Sequence, residues 1–204
     1  MPKSSETEAI RIAGDDAWFA PRGGKASALH MAWVTCFTFR LKLPSEGIPM
    51  ARDPEAKPGK FSIRAVGKDK VQMFFPRRRN REYATFSERV CWCERSPRTC
   101  AVHAIMPFFA KHGVGVRPFA GISPATSIRL LRSVAKALGR EDAAFFDNRS
   151  FRRANAELVR RFGGRTGEIL RACGWSGKAF AHYLGLQSLE CAAIEMAISN
   201  CPRP

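Results

Sequence analysis

The sequence has little negative charge, no long apolar run and few tyrosines. Eighteen Asp and Glu residues stand against 34 Lys and Arg, which gives a formal net charge of +16. This imbalance favours a polyanionic partner, because neutralised phosphates release counterions; a basic but solvated surface is the alternative. Apolar runs long enough for a membrane span or a secretion signal do not occur. We therefore expect an intracellular protein with no membrane partner, nuclear in a eukaryotic cell and otherwise cytoplasmic.

The seven cysteines are an odd number and do not suggest a disulfide framework. Cys91 and Cys93 form one close pair, and Cys100 and His103 form a second. Two such pairs can close a tetrahedral Zn²⁺ site with no open position, so the expected metal is structural. We place this zinc-binding insertion at residues 88–106. The alternative is three ordinary thiols and a surface histidine. Pro97 and the basic residues Arg89, Arg95 and Arg98 suggest an exposed loop.

The chain is long enough for one domain with a tail, and its hydrophobic content of 45% can build a core. Residues 1–25 are polar, contain Pro and Gly and show no period, which predicts a tail or linker before a domain at 26–204. The pattern predicts strands at 61–66, 71–75 and 84–90 and a turn at 67–70. Predicted helices cover 26–43, 105–109, 124–138, 148–162, 166–173, 176–184 and 187–199. The expected fold class is α+β, mostly helical, with a small antiparallel sheet.

A basic segment follows the second predicted strand. It holds four arginines in five residues, which cannot all be buried and are suited to DNA phosphates. They are Arg77, Arg78, Arg79 and Arg81.

A second arginine group lies on a predicted helix near the C-terminus. Arg149 and Arg152 are three residues apart and so lie on one helix face, where two guanidinium groups can grip one phosphate, and Arg153 adds a DNA-binding charge. Gly174 and Trp175 follow, and then Tyr183, one of two tyrosines in the chain. Trp175 and Tyr183 could instead be core aromatics with satisfied polar tips.

The run Arg149-Ser150-Phe151-Arg152-Arg153, followed by Gly174-Trp175 and Tyr183, resembles the catalytic half of the tyrosine recombinase (phage integrase) family. That family carries His-x-x-Arg on a helix, then Gly with His or Trp, then a nucleophilic Tyr eight or nine positions later. The resemblance implies double-stranded DNA as substrate, Tyr183 as nucleophile, and Arg152 and Trp175 as phosphate ligands. It also implies cleavage through a 3′-phosphotyrosyl link, without a catalytic cofactor. Arg149 stands where the family has histidine.

Two further family positions are open in this sequence. The first catalytic arginine belongs to a pattern resembling Arg-x-Ser-Glu, and here Leu43 occupies that place before Ser45 and Glu46. Lys42 takes the role after a one-residue shift, Arg40 reaches in from the previous turn, or the charge is missing; both basic residues could also be the polar side of a helix.

The second open position is the hairpin lysine that protonates the leaving oxygen. Arg79 matches it best, with Lys68 and Lys70 as alternatives. Arginine is a poor proton donor, so this turn could serve to grip DNA phosphates instead.

These departures leave three functions open. The leading one is a site-specific recombinase or integrase that breaks and rejoins DNA, as a homo-oligomer on its substrate. The second is a degenerate member that keeps the fold and DNA binding without cleavage. The third is a zinc-braced structural protein that binds nucleic acid. The family usually adds a core-binding domain, and the short N-terminal tail is too small to supply one.

Overall fold

The computed structural model describes residues 26–55, 57–76, 84–94, 99–173 and 175. In chain order, its α-helices are α1 (Ala26–Phe39), α2 (Ala101–Lys111), α3 (Pro124–Ala137), α4 (Ser150–Arg161) and α5 (Thr166–Cys173). Its strands are β1 (Ala51–Arg52), β2 (Ser62–Val66), β3 (Lys70–Phe75) and β4 (Thr85–Val90). A π-helical turn covers Leu43–Gly47, and a 3-10 helix covers Glu141–Phe145. The α+β class expected from the sequence is confirmed.

The sheet is mixed, with strand order β1-β2-β3-β4, so the expectation of a purely antiparallel sheet is wrong. β2, β3 and β4 pair antiparallel as predicted, but β1 runs parallel to β2. β1 has two residues, too short for an alternating pattern to show in the sequence. Gly67 turns the β2–β3 hairpin with a φ of 66°, a value that glycine adopts without strain.

Helix α1 forms the centre of the core, and its middle is buried on every side. Trp33 is completely buried, and its ring lies 5.5 Å from that of Phe151 on α4. The Trp33 indole N–H donates to Ser127 Oγ at 3.0 Å, and that hydroxyl donates to Asn148 Oδ1 at 2.9 Å. Asn148 in turn donates to the Pro124 carbonyl at 3.2 Å. This buried network fixes α4 against α1 and so places Arg152, the residue after Phe151.

Most predicted helices are present, with changed ends. α1 ends at Phe39 rather than at residue 43, because the chain turns at Arg40 into a left-handed conformation with a φ of 57°. α2 starts four residues before the predicted 105, since the Cys100 side chain caps its first turn by accepting from His103 N–H. α3 begins as predicted behind Ser123 and Pro124 and is followed by Gly139 with a φ of 73°. α4 is shorter than predicted at both ends, and α5 has the predicted bounds.

The expected tail at 1–25 and the predicted helices at 176–184 and 187–199 lie outside the described residues. Among the helices that the structure describes, none combines the length and apolar character needed to cross a lipid bilayer.

Candidate functional site

A buried arginine on α4 is the centre of the site. Arg152 is 4% exposed, and its Nη1 lies 3.9 Å from Oε1 of Glu46, too far for a hydrogen bond. Its Nε and Nη1 have no hydrogen-bond partner among the described residues. A buried charge is costly unless other groups compensate it, and one carboxylate at this distance compensates it weakly. The guanidinium group therefore has capacity for an anionic acceptor.

Glu46 is held in place by the backbone around it. Its carboxylate is 6% exposed, and Oε2 accepts the Lys42 backbone N–H at 3.0 Å. The π-helical turn that carries Glu46 begins shortly after α1, at Leu43, so the segment that follows α1 and the start of α4 meet at this ion pair. Glu46 thus orients the Arg152 side chain but leaves its Nε and Nη1 without a hydrogen-bond acceptor among the described residues.

Arg40, at the end of α1, carries a second positive charge that acts on the site. The end of α1 is a Schellman motif, with Arg40 N–H bonded to Phe37 O at 3.4 Å and Leu41 N–H bonded to Cys36 O at 2.9 Å. Burial lowers the pKa of Arg40, and the positive charge of Arg152 lowers it further against an opposing effect of Cys173. Arg40 is one of the alternatives that the sequence left open for the first catalytic arginine. Its charge and that of Arg152 therefore affect each other.

Arg89 supplies a third positive charge. The sequence placed it in the predicted strand at 84–90, which is confirmed, and also counted it among residues suggesting an exposed loop, which is wrong: Arg89 lies in β4 and is partly buried, and its Nε donates to the Thr38 carbonyl at 3.2 Å. The guanidinium carbon lies 5.5 Å from the ring centroid of Phe39. Burial and the positive charge of Arg40 lower the pKa of Arg89 to about 10. The sequence could not predict its contact with Thr38 or Phe39, because these contacts join segments far apart in the chain.

Trp175 closes one side of the site. The guanidinium carbon of Arg152 lies 5.6 Å from its ring centroid, within cation–π distance. The ring packs on a small cluster formed by Ala156, Ile169 and Cys173, and its backbone N–H bonds to Leu170 O at 3.0 Å. Arg152 and Trp175, both predicted as phosphate ligands, are thus in contact, while their role toward phosphate stays a prediction.

The other predicted site residues are arranged differently. Arg149 is exposed at the N-cap of α4, while Arg153 is partly exposed and contacts Ser150 Oγ at 3.0 Å and Asp147 Oδ1 at 3.4 Å. Lys42 is partly buried beside Glu46. Tyr183 and the four arginines of the basic segment lie outside the described residues, so their roles stay predictions: Arg77, Arg78, Arg79 and Arg81.

Three cysteines form a separate cluster that can hold a metal ion. The Sγ atoms of Cys91, Cys93 and Cys100 lie within 4.8 Å of one another. The Cys91 Sγ lies 2.9 Å from the Cys93 Sγ and 3.7 Å from the Cys100 Sγ. His103 Nδ1 lies 3.2 Å from the Cys93 Sγ. Ligand sulfurs around a tetrahedral zinc ion lie about 3.8 Å apart, given Zn–S bonds of about 2.3 Å. The cluster thus matches such a site after small adjustments.

The electrostatics of the thiols also fit a cation. Burial raises the pKa of Cys93 to about 12, with a further rise from its hydrogen bonds to Cys91 and Cys100. Hydrogen bonding from Cys93 instead lowers the pKa of Cys91. Neighbouring thiolates repel each other, so a cation between the sulfurs is what lets several of them ionise together.

Comparison of the chain with models of known protein families, with curated proteins and with solved structures found no match.

Proposed function

We propose that this chain is a DNA-binding protein of tyrosine recombinase type, which cleaves and rejoins double-stranded DNA through Tyr183. One observation carries the proposal: the buried Arg152 guanidinium group has two nitrogens without acceptors among the described residues. A phosphodiester is the acceptor that fits, because guanidinium groups bind phosphate oxygens through charge-assisted hydrogen bonds. Trp175 contacts that guanidinium group, and the charge of Arg40 interacts with it.

The charge balance around Arg152 supports an anionic ligand; Arg40, Glu46, Arg89, Arg152 and Trp175 are together called the arginine pocket below. Arg40, Arg89 and Arg152 contribute three positive charges, and Glu46 opposes them with one negative charge. Such a partly buried excess is unfavourable in the free protein, and a bound phosphate relieves it. The same excess stabilises a transition state in which negative charge grows on the phosphate oxygens.

In the proposed reaction the Tyr183 phenolate oxygen attacks the phosphorus. A bond forms between that oxygen and phosphorus, the bond to the 5′ oxygen breaks, and the leaving oxygen takes up a proton. In this proposal Arg152 and Arg40 hold the non-bridging oxygens, and Trp175 donates its indole N–H to the phosphate, as the family resemblance implies. Glu46 keeps Arg152 oriented. The proton donor is Arg79, Lys68 or Lys70; Lys68 is exposed, and Lys70 is paired with Glu88 at 3.6 Å.

The test is covalent trapping on a nicked DNA duplex, which lets the cleaved end diffuse away. The parent protein is expected to form a protein–DNA adduct that survives denaturation, and Tyr183→Phe is expected to abolish it. Tyr83→Phe is the matched control, because Tyr83 is the other tyrosine of the chain. An adduct that persists in Tyr183→Phe and is lost in Tyr83→Phe contradicts the assignment.

A second candidate is a recombinase-like protein that binds DNA without cutting it. It is favoured by Arg149, which stands where the family has histidine and is exposed at the N-cap of α4, whereas Arg152 is buried. DNA binding that Arg152→Gln weakens, together with no adduct in the parent protein, supports this candidate over the enzyme.

We also propose that the cysteine cluster binds one structural Zn²⁺ through Cys91, Cys93, Cys100 and His103. The donor set of three thiolates and one imidazole is a usual structural zinc set, and it leaves no position for substrate. Purified protein is expected to contain one zinc per chain, and Cys91→Ser, Cys100→Ser or His103→Gln to contain less. His112→Gln is the control, since His112 lies at the other end of α2. Zinc near zero in the parent protein contradicts the site. If the protein contains zinc and Arg152→Gln leaves its nucleic-acid binding unchanged, the third function, a zinc-braced structural protein that binds nucleic acid, is supported.

A further inference from the structure

The metal cluster lies where the edge of the sheet meets a helix. Cys91 follows β4 directly, and its backbone N–H donates to Asp69 O at 2.6 Å. Cys100 caps α2, and His103 lies in the first turn of that helix. One ion shared by these residues therefore fastens the end of β4 to the start of α2.

At this end β4 is held by its ladder with β3 and by the Cys91 hydrogen bond to Asp69. In the described sheet it is an edge strand that pairs with β3 alone. Arg89 is paired with Val71 in that ladder and lies two residues before Cys91. A fixed position for Cys91 thus fixes the backbone from which the Arg89 side chain extends.

The Arg89 side chain joins this strand to the end of α1. Its Nε donates to Thr38 O in the last turn of α1, and its guanidinium group lies over the ring of Phe39. Arg40 is the next residue, in the left-handed position that ends the helix. The contacts therefore run from the metal cluster through Arg89 to the end of α1, where Arg40 lies.

We infer that the metal ion controls phosphate binding, with Arg89 as the positioning residue that transmits its effect to Arg40. The inference rests on the proposed phosphate site. With the ion bound, the end of β4 is fixed, Arg89 caps the α1 carboxyl end, and Arg40 is held in the pocket. When the ion leaves, the end of β4 loosens, Arg89 releases Thr38 O, and one phosphate contact is lost.

The experiment measures the affinity of the full chain for a short fluorescent DNA duplex, with and without removal of zinc by phenanthroline. The non-chelating isomer of phenanthroline is the control. Metal removal is expected to weaken binding by the parent protein about tenfold and to lower the salt slope of log affinity by about one, as for one lost phosphate contact. Re-added zinc is expected to restore both quantities.

Arg89→Gln distinguishes this route from a general loss of structure. The variant is expected to keep one zinc per chain and the parent circular dichroism spectrum, yet to bind the duplex about tenfold more weakly. Chelation is then expected to weaken it less than about twofold further, because the two changes break the same connection. Arg89→Lys, which keeps a cation able to donate to Thr38 O, is expected to recover part of the loss.

Two outcomes overturn the inference. One is that zinc-bound Arg89→Gln binds DNA as tightly as the parent protein. This outcome needs no chelation, so it is informative even if chelation unfolds the parent protein. The other is an equal chelation effect in Arg89→Gln and in the parent protein. Arg152→Gln tests the proposed phosphate site separately: unchanged affinity in that variant rejects the site itself, whereas weakened affinity with no effect of zinc or Arg89 rejects the coupling alone.

Discussion

Arg40 occupies a backbone position that usually belongs to glycine. It is the described non-glycine residue with a positive φ, at the place in a Schellman motif where a side chain costs about 1 kcal/mol or more. Its guanidinium group is also partly buried beside another positive charge. Both costs fall on one residue, which points to a functional reason for the side chain.

Arg40→Gly is therefore expected to stabilise the fold while weakening DNA binding. Relief of the left-handed strain and of the buried charge raises the free energy of unfolding by about 1 kcal/mol, partly offset by lost packing of the side-chain stem. Urea denaturation measures the stability, and fluorescence anisotropy with a DNA duplex measures the binding.

The control for this prediction is Gly139→Ala. Gly139 follows α3 with a φ of 73°, and an added Cβ meets no atom within 4 Å, so backbone strain is the main effect. That variant is expected to lose about 1 kcal/mol with DNA binding unchanged. A large stability loss in Arg40→Gly would contradict the strain argument.

At the scale of elements, the connection between α4 and α5 sets the distance from Arg152 to Trp175. Gly163 turns the chain with a φ of 83°, and Gly164 packs against the end of α4. A Cβ at Gly164 would lie 2.4 Å from Val159 Cγ1 and 2.9 Å from its carbonyl oxygen. The side chain of Val159 can move, but its backbone cannot move without shifting α4.

Gly164→Ala is accordingly expected to destabilise the protein by about 1–3 kcal/mol and to reduce adduct formation, because α5 must move away from α4 and carry Trp175 with it. Thermal denaturation and the trapping assay measure the two effects. Gly167→Ala is the matched control: an added Cβ there meets nothing within 4 Å, and alanine favours the helix. Equal effects of the two substitutions would contradict the packing argument.

The sequence predicted helices and strands well where their ends are marked by nearby residues. Ser123-Pro124 and Gly139 mark the ends of α3, and alternation marks β2 and β3. The parallel pairing of β1 and the contact of Arg89 with Thr38 O depend on segments far apart in the chain, which no local period records. The early end of α1 was hidden because Arg40 replaces the usual glycine signal.

The candidate site likewise has features that the sequence predicted and features that depend on the packing of distant segments. The spacing of cysteines and histidine predicted a cluster that the structure brings together. The motif likewise predicted Arg152 with Trp175, which are in contact. It could not predict that Arg152 is buried against Glu46, since burial depends on how α4 packs on α1.

At the scale of the whole molecule, the net charge of +16 predicts strong salt dependence of DNA binding. Affinity for a duplex is expected to fall by about two to three orders of magnitude between roughly 50 and 200 mM salt, as for proteins with several phosphate contacts. A titration at several salt concentrations measures it, with zinc content over the same range as the control. A flat response would contradict phosphate as the main ligand.

The arginine pocket draws its residues from the beginning, middle and end of the described chain: Arg40, Glu46, Arg89, Arg152 and Trp175. Contacts between such distant segments form late in folding, because each closes a long loop at an entropic cost. A chain still emerging from the ribosome, or one cut between β4 and α4, therefore lacks the pocket. If the proposed function holds, DNA binding and cleavage are therefore expected only from the fully synthesised and folded chain.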